Sequence, residues 1–113
     1  MIPPNTNAPS GSVEWHCTAD GLRVVLAGDI DLSCCELLDE AAAAIARAMP
    51  DDVFVDVTRV TFMASHGLGF LAASSQLVAD QHGRSFTLHN PRPTVERTAK
   101  LFGILDRATV TRS

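Results

Sequence analysis

With 113 residues, 46% of them hydrophobic, and a formal net charge of −4, the chain has the size of one globular domain and enough apolar material for one core. Its nine basic residues, eight of them Arg, are scattered without forming a stripe, which argues against a nucleic-acid surface. No apolar run approaches the roughly 20 residues of a membrane helix, so no membrane association is expected.

The first twelve residues hold three Pro, two Asn, two Ser and a Gly. They read as a flexible tail over 1–12, followed by one ordered domain over 13–113. They show no basic n-region and no apolar h-region of a signal peptide. Of the three cysteines, Cys34 and Cys35 are adjacent. The odd count makes no disulfide framework, and no C-x-x-C or H-x-x-x-H spacing supports a metal, so neither metal nor cofactor is expected and a cytoplasmic setting fits.

Val13 to Thr18 reads as a first strand. Asp20-Gly21 offers a hairpin turn, and Leu22 to Ala27 is a β-rich run that stops at Gly28. Ser33 with Glu36 three residues on predicts a capping box opening a helix. Leu37, Ala41, Ala44, Ile45 and Ala48 define its apolar face, and Pro50 closes it. Val53 to Val57 is a β-branched run of the kind that forms a buried central strand, and Thr58 to Ala64 reads as a connection. A second helix is predicted from Ser65 or His66 to about His82, with Leu68, Leu71, Ala72, Ser75 and Ala79 inward and Gly83 as C-cap. Ser85 to His89 is a strand. Pro91 or Pro93 opens a third helix, in which Val95, Ala99 and Phe102 recur at helical spacing until Gly103. Ala108 to Thr111 predicts a last short strand. The order β-β-α-β-α-β-α-β implies an α/β domain with a mixed four- to five-stranded sheet, three to four helices on one side or both, and right-handed crossovers.

In such sheets functional residues gather at the carboxyl ends of strands. Ser65 stands there, at the strand-to-helix turn of Thr61-Phe62-Met63-Ala64-Ser65-His66-Gly67-Leu68-Gly69. As an N-cap it would serve only the helix. As an exposed hydroxyl at a helix N-terminus it would suit an anionic group such as a phosphate. The enzyme motifs fit poorly. Met63 replaces the first Gly of G-x-S-x-G, and no Lys follows the glycines as a phosphate loop requires. Gly67-Leu68-Gly69 lies inside the helix rather than before it, as a dinucleotide fingerprint would. Asp29 and Asp31 read either as solvated loop acids or as a carboxylate pair.

These pieces resemble one family. Gly28-Asp29-Ile30-Asp31 is similar to the G-[ED]-[LI]-D turn of STAS domains, and Val53-Phe54-Val55-Asp56-Val57 to their central strand. Phe62-Met63-Ala64-Ser65-His66-Gly67-Leu68-Gly69 resembles their F-[MIL]-D-S-[ST]-G-L-G switch. Asn90 to Arg97 and Leu101 to Leu105 resemble two later motifs. The likeness runs from about Val13 to Val110 and implies a STAS fold and the role of an anti-sigma-factor antagonist without enzymatic activity. Such a domain binds an anti-sigma factor with serine kinase activity and releases it when phosphorylated, and a serine phosphatase reverses the change. The resemblance implies phosphorylation at Ser65 and partner contacts at Asp29, Asp31, Met63, Ala64, His66 and Gly67. Ala64 stands where the family has Asp, and His66 where it has Ser or Thr. The alternatives are a STAS interaction module that is not phosphorylated, and a small-ligand or enzymatic domain using the Ser65–His66 cleft.

Overall fold

Five strands lie side by side in chain order in the computed structural model, which describes residues 10–19, 21–81 and 83–113. They are β1 (Gly11–Cys17), β2 (Gly21–Ile30), β3 (Asp52–Met63), β4 (Ser85–His89) and β5 (Thr109–Thr111). The helices α1 (Cys35–Ala48), α2 (Ser65–Ala79) and α3 (Pro93–Leu101) connect the strands from β2 to β5, with short 3-10 turns at Leu32–Cys34 and Ile104–Asp106. The β1–β2 pair is antiparallel, and every later pair is parallel. This is the mixed sheet and the element order predicted from the sequence.

All three parallel connections step the same way across the sheet, so right-handed crossovers set every helix on one face. Burial alternates accordingly. Leu22, Val24 and Leu26 of β2, Val53, Val55 and Val57 of β3, and Phe86 and Leu88 of β4 are buried. Leu38, Ala41 and Ile45 of α1, Leu68, Leu71 and Val78 of α2, and Val95 and Ala99 of α3 complete that core. The intervening Arg23, Val25, Phe54, Asp56, Thr87 and His89 are half-buried on the opposite face.

Several boundaries differ from the sequence reading. Strand β1 starts at Gly11, ahead of the expected Val13. Of the expected tail, residues 1–9 lie outside the described residues. So does Asp20 of the expected hairpin turn, across which Thr18 and Gly21 exchange backbone hydrogen bonds of 2.7 and 3.3 Å. Strand β3 does not stop at Val57 but runs on through the expected connection to Met63. Its first half is flanked by β2 and β4, whereas β4 pairs only as far as Asp56, so the second half has β2 alone beside it. Thr58, Arg59, Thr61 and Phe62 are therefore exposed, and the polar sequence there conceals a strand. Gly28-Asp29-Ile30 likewise belongs to β2 rather than to a turn. Two register shifts keep the long strands paired, one beside Gly28, whose φ of +76° is open to glycine at little cost.

The capping box at Ser33 does not form. Asp31 caps the intervening 3-10 turn, while the Ser33 hydroxyl accepts from the Ser10 N–H at 2.8 Å, and α1 begins only at Cys35 with no side-chain cap. Its buried stripe centres on Leu38, and Ala48 is exposed. Helix α2 ends at Ala79, which is exposed, with Asp80 as C-cap; Gly83 lies beyond it, and His82 is outside the described residues. Phe102 falls past the end of α3 and is exposed, because the chain leaves helical geometry before that position could turn inward.

Gly67 controls how closely α2 approaches the sheet. A β-carbon there would come within 2.8 Å of Met63 Cγ and 2.9 Å of Ile30 Cγ2. Val at this position must push α2 away from the ends of β2 and β3, and such overpacking costs about 1–3 kcal/mol. Urea unfolding of Gly67→Val should show that loss of stability; an unchanged midpoint would mean the contact is slack.

Candidate functional site at the start of helix α2

Strands β2 and β3 end level with one another, Ile30 opposite Met63. The Ala64 N–H then donates to the Ile30 carbonyl at 2.8 Å, which fixes the turn into α2. Ala64 is the N-cap: its backbone is extended, and its carbonyl accepts the first helical bond from the Leu68 N–H at 3.1 Å. Ser65 is thus the first helical residue rather than the cap. It is exposed, and among the described residues its hydroxyl takes part in no hydrogen bond. The first turn of α2 contains no acidic side chain, so the partial positive charge of the helix N-terminus is left uncompensated.

The sites expected from the sequence meet at this end of the sheet, in different roles. Asp29 is exposed and accepts from the Thr61 hydroxyl at 2.6 Å. Asp31 lies just past the end of β2. Hydrogen bonds from the Ser33 hydroxyl and then from the Ser33 backbone N–H hold its carboxyl below the ordinary carboxylate range. His66 is exposed and its Nε2 lies 3.2 Å from Asp39 Oδ1, tying α2 to α1. Ala64 is half-buried. Met63 and Gly67 are buried where the helix seats on the sheet.

The sequence reading missed what surrounds them. Leu32 is 75% exposed and stands at the mouth of an apolar groove of about 590 Å³ between α1 and α2. Leu38, Ala42, Phe70 and Ala73 line it, with Asp39, His66 and Ser65 along the same walls. A leucine outside any apolar periodicity was the available signal. The groove itself arises only when two helices separated by β3 pack together.

Ser65 and His66 make no hydrogen bond to each other among the described residues, and the imidazole is turned to Asp39. Among the described residues no base hydrogen-bonds the serine. The described residues contain no group of three or more metal-ligating side chains and no helix long and apolar enough to cross a membrane.

A second polar cluster lies on the helix-free face of the sheet. The Arg23 guanidinium sits 4.6 Å from the centroid of the Phe54 ring, which packs 5.1 Å from the His89 ring. Arg23 also approaches Asp56 at 3.6 Å, and His89 Nδ1 lies 2.7 Å from Thr111 Oγ1. Burial works against ionisation of Asp56. The Thr58 hydroxyl and backbone N–H, with the charges of His89 and Arg23, outweigh it and hold the carboxyl below its ordinary range.

A family model described as "Mlab, STAS domain" matches residues 16–110. The chain belongs to the STAS domain family. Its fold is similar to that of an anti-sigma factor antagonist from Mycobacterium paratuberculosis, with a TM-score of 0.76 at 22% identity over 90% of this chain and 86% of that one. It is also similar to the Bacillus cell fate determinant SpoIIAA in its phosphorylated form, with a TM-score of 0.70 at 19% identity over 88% and 90% of the two chains. A serine-to-glutamate variant of RsbS from Moorella thermoacetica gives a TM-score of 0.71 at 20% identity over 89% and 86%. At these identities the likeness concerns the fold. No curated protein sequence matches the chain.

The lowered pKa of Asp56 has a defined sign. Its ionised form stabilises the fold above the unfolded carboxylate pKa of about 3.9, and that contribution is lost as pH falls through the lower folded value. Stability measured by urea unfolding should therefore fall less steeply below about pH 4 in Asp56→Asn than in the wild type. The difference should be on the order of 0.5 kcal/mol, because solvent screens the pair. Parallel pH profiles would remove Asp56 from the account.

Proposed function

We propose that this STAS domain is an anti-sigma-factor antagonist. Unmodified, it docks an anti-sigma factor through the surface formed by Asp29, Asp31, Ala64, Ser65 and His66, with Met63 and Gly67 supporting that surface from beneath. The kinase activity of the anti-sigma factor transfers the γ-phosphoryl group of ATP to Ser65 Oγ, the hydroxyl proton leaves, and ADP departs. The complex then separates, and a serine phosphatase restores the neutral hydroxyl. Transcription responds through the sigma factor that is released or recaptured, in the cytoplasm where the transcription machinery works. The domain itself catalyses nothing.

One observation carries this reading: an exposed, unengaged serine hydroxyl on the first turn of a helix that has no acid of its own there. Phosphorylation adds about −1.5 to −2 charges at such a place. The helix terminus accommodates the dianion within the domain, while Asp29 and Asp31 make the docking surface as a whole repel it. With Ala64 in place of the family's Asp, the carboxylate next to the hydroxyl is absent. His66, occupied with Asp39, shapes the wall of the groove instead.

Incubation with the cognate anti-sigma factor and ATP should yield one species heavier by about 80 Da, the mass of a phosphoryl group, and Ser65→Ala should abolish it. Partner affinity of Ser65→Ala should stay within about threefold of the wild type, whereas Ser65→Glu should lose at least about tenfold, which corresponds to about 1.4 kcal/mol. Equal binding by the wild type and Ser65→Ala, weak binding by Ser65→Glu and no phosphorylated form would make the domain a constitutive interaction module. Covalent labelling of Ser65 by a serine-directed hydrolase probe would instead show an enzymatic site.

A further inference from the structure

The charge of this chain is strongly divided. Residues 84–113 carry six basic side chains against Glu96 and Asp106, a net +4, whereas residues 1–83 carry three basic and eleven acidic side chains, a net −8. The fold turns this division in sequence into one in space, because α1 lies over the β2 side of the sheet and α3 over the β5 edge. Glu96, the one acid of α3, is paired with Arg112, and none of the ion pairs among the described residues involves Arg97, Lys100 or Arg107.

Each side also carries a protruding apolar feature. On the basic side Leu101 is 80% exposed and Phe102 is 49% exposed. Arg97 lies one helical turn before Leu101, and Lys100 is adjacent to it. On the acidic side is the apolar groove between α1 and α2, lined by Leu32, Leu38, Ala42, Phe70 and Ala73. Asp39 of α1 lines it, and Glu36 and Glu40 are exposed on the same turns of that helix. An apolar knob flanked by cations and an apolar groove beside an acidic helix are complementary in character and in sign, and a single chain bears both.

We propose that a second copy of this chain occupies the groove, inserting Leu101 and Phe102 between α1 and α2 while Arg97 and Lys100 approach Asp39 and the acidic first half of α1. The contact is head-to-tail, so a pair of copies keeps one free knob and one free groove between them, and association is open-ended rather than a closed pair. Two apolar side chains with a charged rim make a small interface, and the dissociation constant should be on the order of 0.1–1 mM. Because Ser65 lies on the groove wall, the bound copy covers it. Self-association would then compete with any partner that docks there. The inference stands on shape and charge and does not depend on the partner proposed above.

Sedimentation equilibrium on the full chain provides the test. At an ionic strength of about 10 mM, where the Debye length is about 30 Å, the average mass should rise with protein concentration, and it should rise much less at about 0.15 M. Leu101→Asp removes the knob. Gly69→Arg obstructs the groove with a like charge; a β-carbon there meets nothing within 4 Å, so the fold tolerates it. Each variant alone should be monomeric, and their equimolar mixture should form a dimer that grows no further, since one retains a groove and the other a knob. A wild type that stays monomeric at about 1 mM and low salt overturns the proposal. So does association unchanged in Leu101→Asp, or a mixture that fails to recover the dimer. A monomeric wild type that sediments with phosphatidylserine vesicles would also overturn it and assign the basic knob to an anionic lipid surface.

Discussion

The handover from β3 to α2 governs what this domain can do. The chain leaves the sheet at Met63, is fixed by the Ala64 N–H on the Ile30 carbonyl, and enters the helix one residue later. Gly67 allows that helix to sit against Met63 and Ile30 with no side chain between them. This close seating turns the Ser65 hydroxyl outward. A residue earlier it would cap the helix and be consumed in doing so; two residues later it would face the core, as Gly67 and Leu68 do.

The remaining architecture supports that handover. With all helices on one face, α1 and α2 pack side by side over a valine-rich sheet, and the groove beside Ser65 forms between them. The small side chains of α1 permit close packing, and His66–Asp39 ties the two helices near the groove. The exposed Ser65 and the acid-free first turn of α2 stand on the wall of that groove.

Much of this was legible from residue patterns. The β-β-α-β-α-β-α-β order follows from alternation in the strands, the apolar stripes of α1 and α2, and Gly or Pro at their borders. Pro93 opens α3 and Gly103 ends its C-terminal turn at positive φ. The readings that failed share a cause. Thr58 to Phe62 looks like a loop because half of β3 outruns its neighbour β4 and meets solvent on that side. Ser33 looks like an N-cap until Asp31 takes that role one short turn earlier. Phe102 fits the helical period, yet the helix ends before it.

Local patterning thus determined the class of fold, the presence of one core and the candidate serine, because strand and helix periods depend only on which side chains must leave water. Tertiary structure alone decided that Ser65 is an exposed first-turn residue rather than the N-cap, that Met63 and Gly67 are buried where α2 meets the sheet, and that Leu32 stands beside a groove. Each of those outcomes depends on residues distant in sequence, Ile30 against Gly67 or Asp39 against His66. Only the packing of separate elements brings such pairs within van der Waals or hydrogen-bond reach.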